Sequence, residues 1–267
     1  MLGPMAKKNC PECDGTGWRV VEAAPPAEGR MAVPCTCTET DRQTHAWQRA
    51  RIPSRYKHCD FENFEVDYCC EGSQAVQWNQ SLKSARTLVE KFVSEYPIGT
   101  EHGLLLMGPC GVGKTHLAVA ALRALLARGH HGLFFDYRDL LKQIQASYNP
   151  ESQTTEMEVL EPVLRCEVLL LDDLGSSKPS AWALETVGHI LNARYNDKRV
   201  TLVTTNYLDG DSPRPPVSIA GRQPIREDTL ADRVGQRIRS RLYEMCRTVM
   251  IVAPDFRKDI VRARPGG

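Results

Sequence analysis

No stretch of this sequence stays apolar for more than a few residues, far short of the roughly 18 needed to span a bilayer. The opening MLGPMAKKNC also lacks the apolar core of a signal peptide. A membrane or exported protein is therefore not expected; a soluble, cytoplasmic one is. Charge of one sign is lacking as well, since 34 Lys and Arg stand against 33 Asp and Glu, a formal net charge of +1. No whole-chain field draws such a protein to nucleic acid or membrane, so any polyanion contact has to be a local patch. Cysteine is not scarce: there are ten. A reducing cytosol disfavours disulfides, so clustered cysteines read as metal ligands. The 267 residues allow one main domain and a small appendage, at about 100 to 200 residues per domain.

The chain is organised around Leu104 to Thr115, LLLMGPCGVGKT. The apolar run Leu104 to Met107 reads as a buried strand, and Gly108, Gly111, Gly113, Lys114 and Thr115 complete G-x-x-x-x-G-K-[ST] without a mismatch. This is a phosphate-binding P-loop. Backbone N–H groups must converge on phosphates, which demands glycine where a Cβ would block approach. The stretch Gly108, Pro109, Cys110, Gly111, Val112, Gly113, Lys114, Thr115 and His116 is the expected nucleotide-binding run. Lys114 is assigned to the β- and γ-phosphates and Thr115 to Mg²⁺. The following THLAVAALRALLARG is helical in period and ends at Gly129, so the positive end of a helix dipole adds to the anion site.

Further on, Val168 to Leu171 runs into Asp172 and Asp173, four apolar residues ending in paired acids. Beside an intact P-loop this is a Walker B pattern. Asp172 is expected to hold Mg²⁺ through water, and Asp173 to orient and deprotonate the attacking water. Asn206, at the edge of the strand TLVTTN, either holds a water or γ-phosphate or is a simple turn asparagine.

Residues 1 to 40 carry Cys10 and Cys13 as CPEC, then Cys35 and Cys37 as CTC. Two close pairs bring four thiolates together for tetrahedral Zn²⁺, and Gly15 and Gly17 suit the knuckle. The alternative is a set of unrelated exposed thiols around the loop AAPPAEGR. Trp18 is either a platform for a base or, the favoured reading, a cover for the knuckle. Cys59, Cys69 and Cys70 have no evident metal partners.

The rest alternates helix and strand. The spacing predicts a core-facing helix from Ser81 to Tyr96, a strand at Leu133 to Asp136, helices over DLLKQIQASY, EMEVLEPVLRCE and AWALETVGHILNARYND, one helix from Asp228 to Cys246, and a last strand, TVMIV. Residues 208 to 227 read as a surface insertion. Arg233, Arg237, Arg239 and Arg241 form a solvated face, although Arg237 and Arg241 share a side at i, i+4 and can reach a phosphate. The expected division is a zinc-ribbon-like module over 1–40, a linker over 41–80 and an ATPase domain over 81–267.

The pieces IPSRYKHCDFENF, GPCGVGKTHLA, LLLDDLG, the NARY of Asn192 to Tyr195, TTN, RIRSRL and the closing DFR span residues 52 to 257. In order and spacing they resemble the AAA+ ATPases of the DnaC helicase-loader and IstB transposition-helper group. The resemblance implies an α/β P-loop fold with a five-stranded parallel sheet flanked by helices. It also implies roles for three residues: Asn206 as sensor 1, Arg241 as an arginine finger acting on a neighbouring subunit's ATP, and Arg257 as a sensor-2-like residue. Asp173 replaces the Glu of most AAA+ proteins, a shorter side chain that points to slow hydrolysis.

The cysteine knuckle resembles the front end of the loader branch, which implies docking on a replicative helicase while the ATPase domain holds single-stranded DNA. The expected function is thus an ATP-hydrolysing loader of a replicative helicase, using ATP, Mg²⁺ and Zn²⁺ and self-assembling with ATP. The alternatives are an ATPase assisting a transposase and an ATP-dependent DNA-binding assembly module with incidental hydrolysis. A small-molecule P-loop kinase is disfavoured by TTN and RIRSRL.

Overall fold

The computed structural model describes residues 9–22, 29–37, 46–67, 73–97, 103–209 and 228–260. Cys69, Cys70 and nearly all of the 208–227 insertion lie outside them. The chain divides after Arg51 into two compact units.

The smaller unit is a cysteine knuckle on a two-stranded antiparallel sheet of β1 (Trp18–Glu22) and β2 (Arg30–Pro34). Trp18 is 45% exposed.

In the larger unit, α1 (Ser73–Glu95) begins eight residues before the expected Ser81 and crosses the position where the linker was expected to end. Its buried stripe starts at Ala75, one heptad before Leu82. Ala75 is the only buried residue among 73–80, so that stretch shows no apolar period of its own.

There follow β3 (Gly103–Met107), α2 (Lys114–Ala127), β4 (Gly132–Asp136) and α3 (Tyr137–Ala146). Asp136 ends β4 and caps α3, its carboxylate accepting from the Arg138 and Asp139 amides, so one residue stops the strand and starts the helix. Next come α4 (Glu156–Arg165), opened by a Thr155–Glu158 capping box, and β5 (Val168–Asp172). Then α5 (Ala181–Asn196) and β6 (Val200–Thr205) lead to α6 (Leu230–Val234), α7 (Gln236–Met245) and β7 (Arg247–Met250). The single helix expected over 228–246 is thus two. Gly235, at φ 81°, breaks it, a backbone angle that cannot continue a right-handed helix.

The five strands form one parallel sheet in the order β4-β5-β6-β3-β7. Every residue of β3, β5 and β6 is buried, as expected where helices cover both faces of a parallel sheet. The chain leaves β3 for the far edge at β4 and returns through β5 and β6 to its side. The carboxyl ends of β3, β5 and β6 therefore open at one edge, the crevice where such sheets bind ligands.

Candidate active site and cysteine knuckle

At that edge lies a cleft of about 690 Å³. The P-loop from Cys110 to Thr115, Asp172, Asp173, Asn206 and Arg257 line it, together with Tyr56, Phe64 and His116, while Gly108 and Pro109 of the expected run are not among the lining residues. Two P-loop glycines show why that residue type is required. Gly113 has φ 94°, and a Cβ there would sit 2.6 Å from the Phe64 ring. Gly111 has φ 78°, and its Cβ would meet the Asp255 carboxylate at 1.9 Å. The FENF segment and the DFR segment thus press on the loop from two sides, and Phe256 donates its amide to the Gly111 carbonyl at 3.1 Å.

Lys114 is buried, and its Nζ donates to the carbonyls of Gly108 at 2.8 Å and Pro109 at 2.6 Å. Burial lowers its pKa to about 8, against the upward pull of the Cys110 thiol and the two Walker B carboxylates. An ammonium held by neutral carbonyls among the described residues gains from an arriving phosphate.

The Walker B end is tied together by hydroxyls. Thr115 Oγ1 donates to Asp172 Oδ1 at 2.8 Å and Thr204 Oγ1 to the same oxygen at 2.6 Å. Burial raises the Asp172 pKa, with the two hydroxyls pulling it back. A buried carboxylate beside a threonine oxygen is a hard, oxygen-only donor set that fits Mg²⁺. Asp173 adopts φ 58°, a left-handed conformation that Asp tolerates better than most residues. Its amide donates to Thr204 Oγ1 at 2.9 Å and its Oδ1 accepts from Asn206 Nδ2 at 2.7 Å. Asn206 is therefore not a simple turn asparagine: its side-chain amide holds the Asp173 carboxylate.

The arginines separate. Arg257 lines the cleft. Arg239 forms a bidentate pair with Asp209. Arg233 donates to the carbonyls of Gly175 at 2.8 Å and Ser177 at 3.0 Å, clamping the turn that follows Walker B. Arg237 is exposed. Arg241 is not among the residues lining its own chain's cleft; it lies over the Tyr195 ring. Of the four arginines expected to form one solvated face, three are thus engaged within their own chain: Arg233 with carbonyls, Arg239 with Asp209 and Arg241 with Tyr195 and Glu244. This pattern was hidden because the partners of Arg239 and Arg233 lie 30 and 58 residues away.

Cys59, read as having no metal partners, lies with His58 and His116, their ligand-type atoms within 4.8 Å of one another. His116 Nε2 is already engaged by the Asp60 carbonyl at 2.8 Å, and burial pushes the Cys59 thiol up to about 11. The group is best described as a wall of the cleft.

In the smaller unit the four sulfurs of Cys10, Cys13, Cys35 and Cys37 lie within 4.8 Å of one another, with Cys10 to Cys35 at 3.7 Å and Cys13 to Cys37 at 3.5 Å. A tetrahedron with Zn–S bonds of about 2.3 Å has S···S edges of roughly 3.8 Å, so the set fits zinc. The Cys10 thiol is lowered to about 7, chiefly by the Glu12 backbone amide. Four thiols held this close favour deprotonation onto a metal.

Sequence reasoning did not single out Thr204, Tyr56, Phe64 or Asp255 as parts of the site. The signal for Thr204 was present: a hydroxyl near the end of a fully buried parallel strand needs a buried partner.

The chain is similar to several known proteins. A family model described as IstB-like ATP binding protein matches residues 41–210. The replicative helicase loader DnaC of Escherichia coli (strain K12) is 28% identical over 165 residues, which is 62% of this chain and 62% of that protein. The match therefore spans less than two thirds of the curated relative. A crystal structure of the DnaC helicase loader superposes with a TM-score of 0.56 at 32% identity, covering 75% of this chain and 100% of that one. A crystal structure of DnaI, at 23% identity and a TM-score of 0.54 over 76% of this chain and 93% of its own, shares the fold.

Proposed function

The chain belongs to the IstB-like family of ATP-binding proteins, and on that premise we propose that it hydrolyses ATP and uses the cycle to place a replicative helicase on DNA. The observation that carries hydrolysis is the pair formed by Asp173 and Asn206 at 2.7 Å, set beside the Thr115–Asp172 pair at 2.8 Å.

In the proposed reaction, ATP and water give ADP and phosphate. Lys114 and the loop amides hold the β- and γ-phosphates. Thr115 and Asp172 are the residues that would hold Mg²⁺, which would offset phosphate charge. Asp173, oriented by Asn206, positions the attacking water and accepts its proton. Arg257 adds positive charge from its own chain, and Arg241 acts on the ATP of a neighbouring copy in an ATP-dependent assembly. The cysteine knuckle, closed by zinc, is the module that meets the helicase, and the ATPase unit holds single-stranded DNA.

Loading is favoured by the likeness to the DnaC loader together with the four-cysteine module. The second reading, an ATPase assisting a transposase, is favoured by the IstB-like family match. The two separate in one assay. The protein is mixed with the purified replicative helicase of its own host, ATP and circular single-stranded DNA, and helicase bound to the circle is counted. A rise that requires ATP and disappears with Lys114→Ala supports loading. No complex with the helicase, and ATP turnover unchanged by single-stranded DNA, would sink it.

A further inference from the structure

Arg241 sits on α7, and Tyr195 closes the last turn of α5. Its guanidinium carbon lies 4.2 Å from the centroid of the Tyr195 ring. One turn further along α7, Glu244 Oε2 is 3.8 Å from Arg241 Nη1. The Tyr195 hydroxyl donates to the other oxygen of the same carboxylate. Three side chains from two helices thus close a ring in which the arginine plane has a face to lie on and an acid at its edge. Arg241 remains one third exposed, so its head is presented rather than buried.

We infer that Tyr195 is a positioning residue for Arg241: its ring face, fixed by the hydroxyl bond to Glu244, holds the guanidinium extended for delivery to a neighbouring copy's nucleotide. This rests on the reading of Arg241 as a finger and deepens it. The physical reason is entropy. An arginine has four flexible side-chain torsions, and a group that must meet a developing charge across an interface is effective only if it is already in place. Stacking favours one arrangement while drawing on few donors, because a cation over a ring face keeps most of its N–H groups in the guanidinium plane, with Nη1 turned toward Glu244. A carboxylate alone would hold Arg241 by those very donors. Glu244 instead shares its charge with the tyrosine hydroxyl, which weakens its grip on the guanidinium.

The test is steady-state ATP turnover of the full chain, with ATP affinity measured separately, for Tyr195→Leu, Tyr195→Met, Tyr195→Phe and Arg241→Ala. A stacking contact of this kind predicts that Tyr195→Leu and Tyr195→Met lose roughly 3- to 10-fold in turnover with unchanged ATP affinity. Tyr195→Phe, which keeps the ring face, should lose less than about 2-fold. The defect should also travel with the finger: adding Asp173→Ala subunits, which supply an intact Tyr195 and Arg241 but no working site, should restore turnover to the Tyr195→Leu chains.

If Leu impairs folding, Met answers the same question with similar flexibility and bulk. Wild-type turnover in both non-aromatic variants, or a loss that Asp173→Ala subunits do not rescue, overturns the positioning role. If Arg241→Ala itself turns over normally, it is the finger reading that falls. If Arg241→Ala is impaired and rescued in trans while Tyr195→Leu and Tyr195→Met behave as wild type, the finger stands and only the platform is lost.

Discussion

Asn206 Nδ2 donates a hydrogen bond of 2.7 Å to Asp173 Oδ1, joining the residue after Walker B to the end of a strand 33 positions further along the chain. On the proposed mechanism this bond fixes the carboxylate that is to position water. Asp173→Ala and Asn206→Ala should therefore each bind ATP as wild type and lose about 10²-fold or more in turnover, the range for a positioned general base. Because the two act as a unit, the double variant should lose little more than the worse single one. Fully additive losses would show that they act independently.

Lys114 offers a pH prediction. Its pKa near 8 means that the nucleotide-free protein carries the ammonium below that pH and loses it above. A bound phosphate favours the charged form, so ATP affinity should be flat in acid and fall by about tenfold per unit above pH 8. The stability contribution has the opposite sign. Between about 8 and the ordinary 10.5 the unfolded chain holds the proton and the folded one does not, so stability rises with pH through that window. Titration calorimetry across pH 7 to 9.5 (roughly the span bracketing that pKa) reads the affinity. Lys114→Ala should abolish binding, and equal affinity in that variant would remove Lys114 from the site.

Zinc is the next expectation. Metal analysis of the purified protein should find about one zinc per chain, lost when Cys10 and Cys13 are both replaced by Ser, because four thiolates close a structural site. Protein made with zinc present yet carrying none would end the assignment. ATP binding by the larger unit should survive the double replacement.

Arg194 makes a stability prediction. It is fully buried, and its guanidinium donates to the carbonyls of Val163 at 2.8 Å, Cys166 at 2.9 Å and Val200, and to Thr201 Oγ1 at 3.0 Å. Replacement by Leu strands several buried acceptors at a cost of about 1 to 3 kcal/mol each. Relief of charge burial offsets part of this, so a net loss of about 3 kcal/mol is expected. Arg194→Lys should recover little, since an ammonium cannot reproduce the planar fork. Denaturant midpoints read the effect, and a Leu variant within about 0.5 kcal/mol of wild type would show that the carbonyls find other donors.

The features legible in the chain were those written at short range. G-x-x-x-x-G-K-T between an apolar run and a helical period requires only neighbours to be recognised, and so do the acids closing Val168 to Leu171 and the paired cysteines at Cys10, Cys13, Cys35 and Cys37. The parallel sheet was legible for a related reason: strands covered on both faces are largely apolar, and helices alternate with them. The boundaries were less legible. The start of α1 at Ser73 rests on a single buried alanine in its first two turns, and the break at Gly235 rests on one glycine, which a helix can also tolerate at a cost of about 1 kcal/mol.

What the sequence by itself determined is the chemistry on offer: a phosphate loop, a pair of carboxylates, an asparagine at a strand end, four clustered thiols and a run of arginines. Tertiary structure alone decided which of these meet. Asn206 faces Asp173, and Thr204 serves both aspartates. Phe64 and Asp255 sit where glycine side chains would be. Arg239 and Arg233 are engaged with Asp209 and with the turn after Walker B, which leaves Arg241 against Tyr195. The physical reason is that side-chain periodicity tells a residue which face it occupies, whereas its partner across the sheet is set by strand order and register, which are properties of the whole packed core.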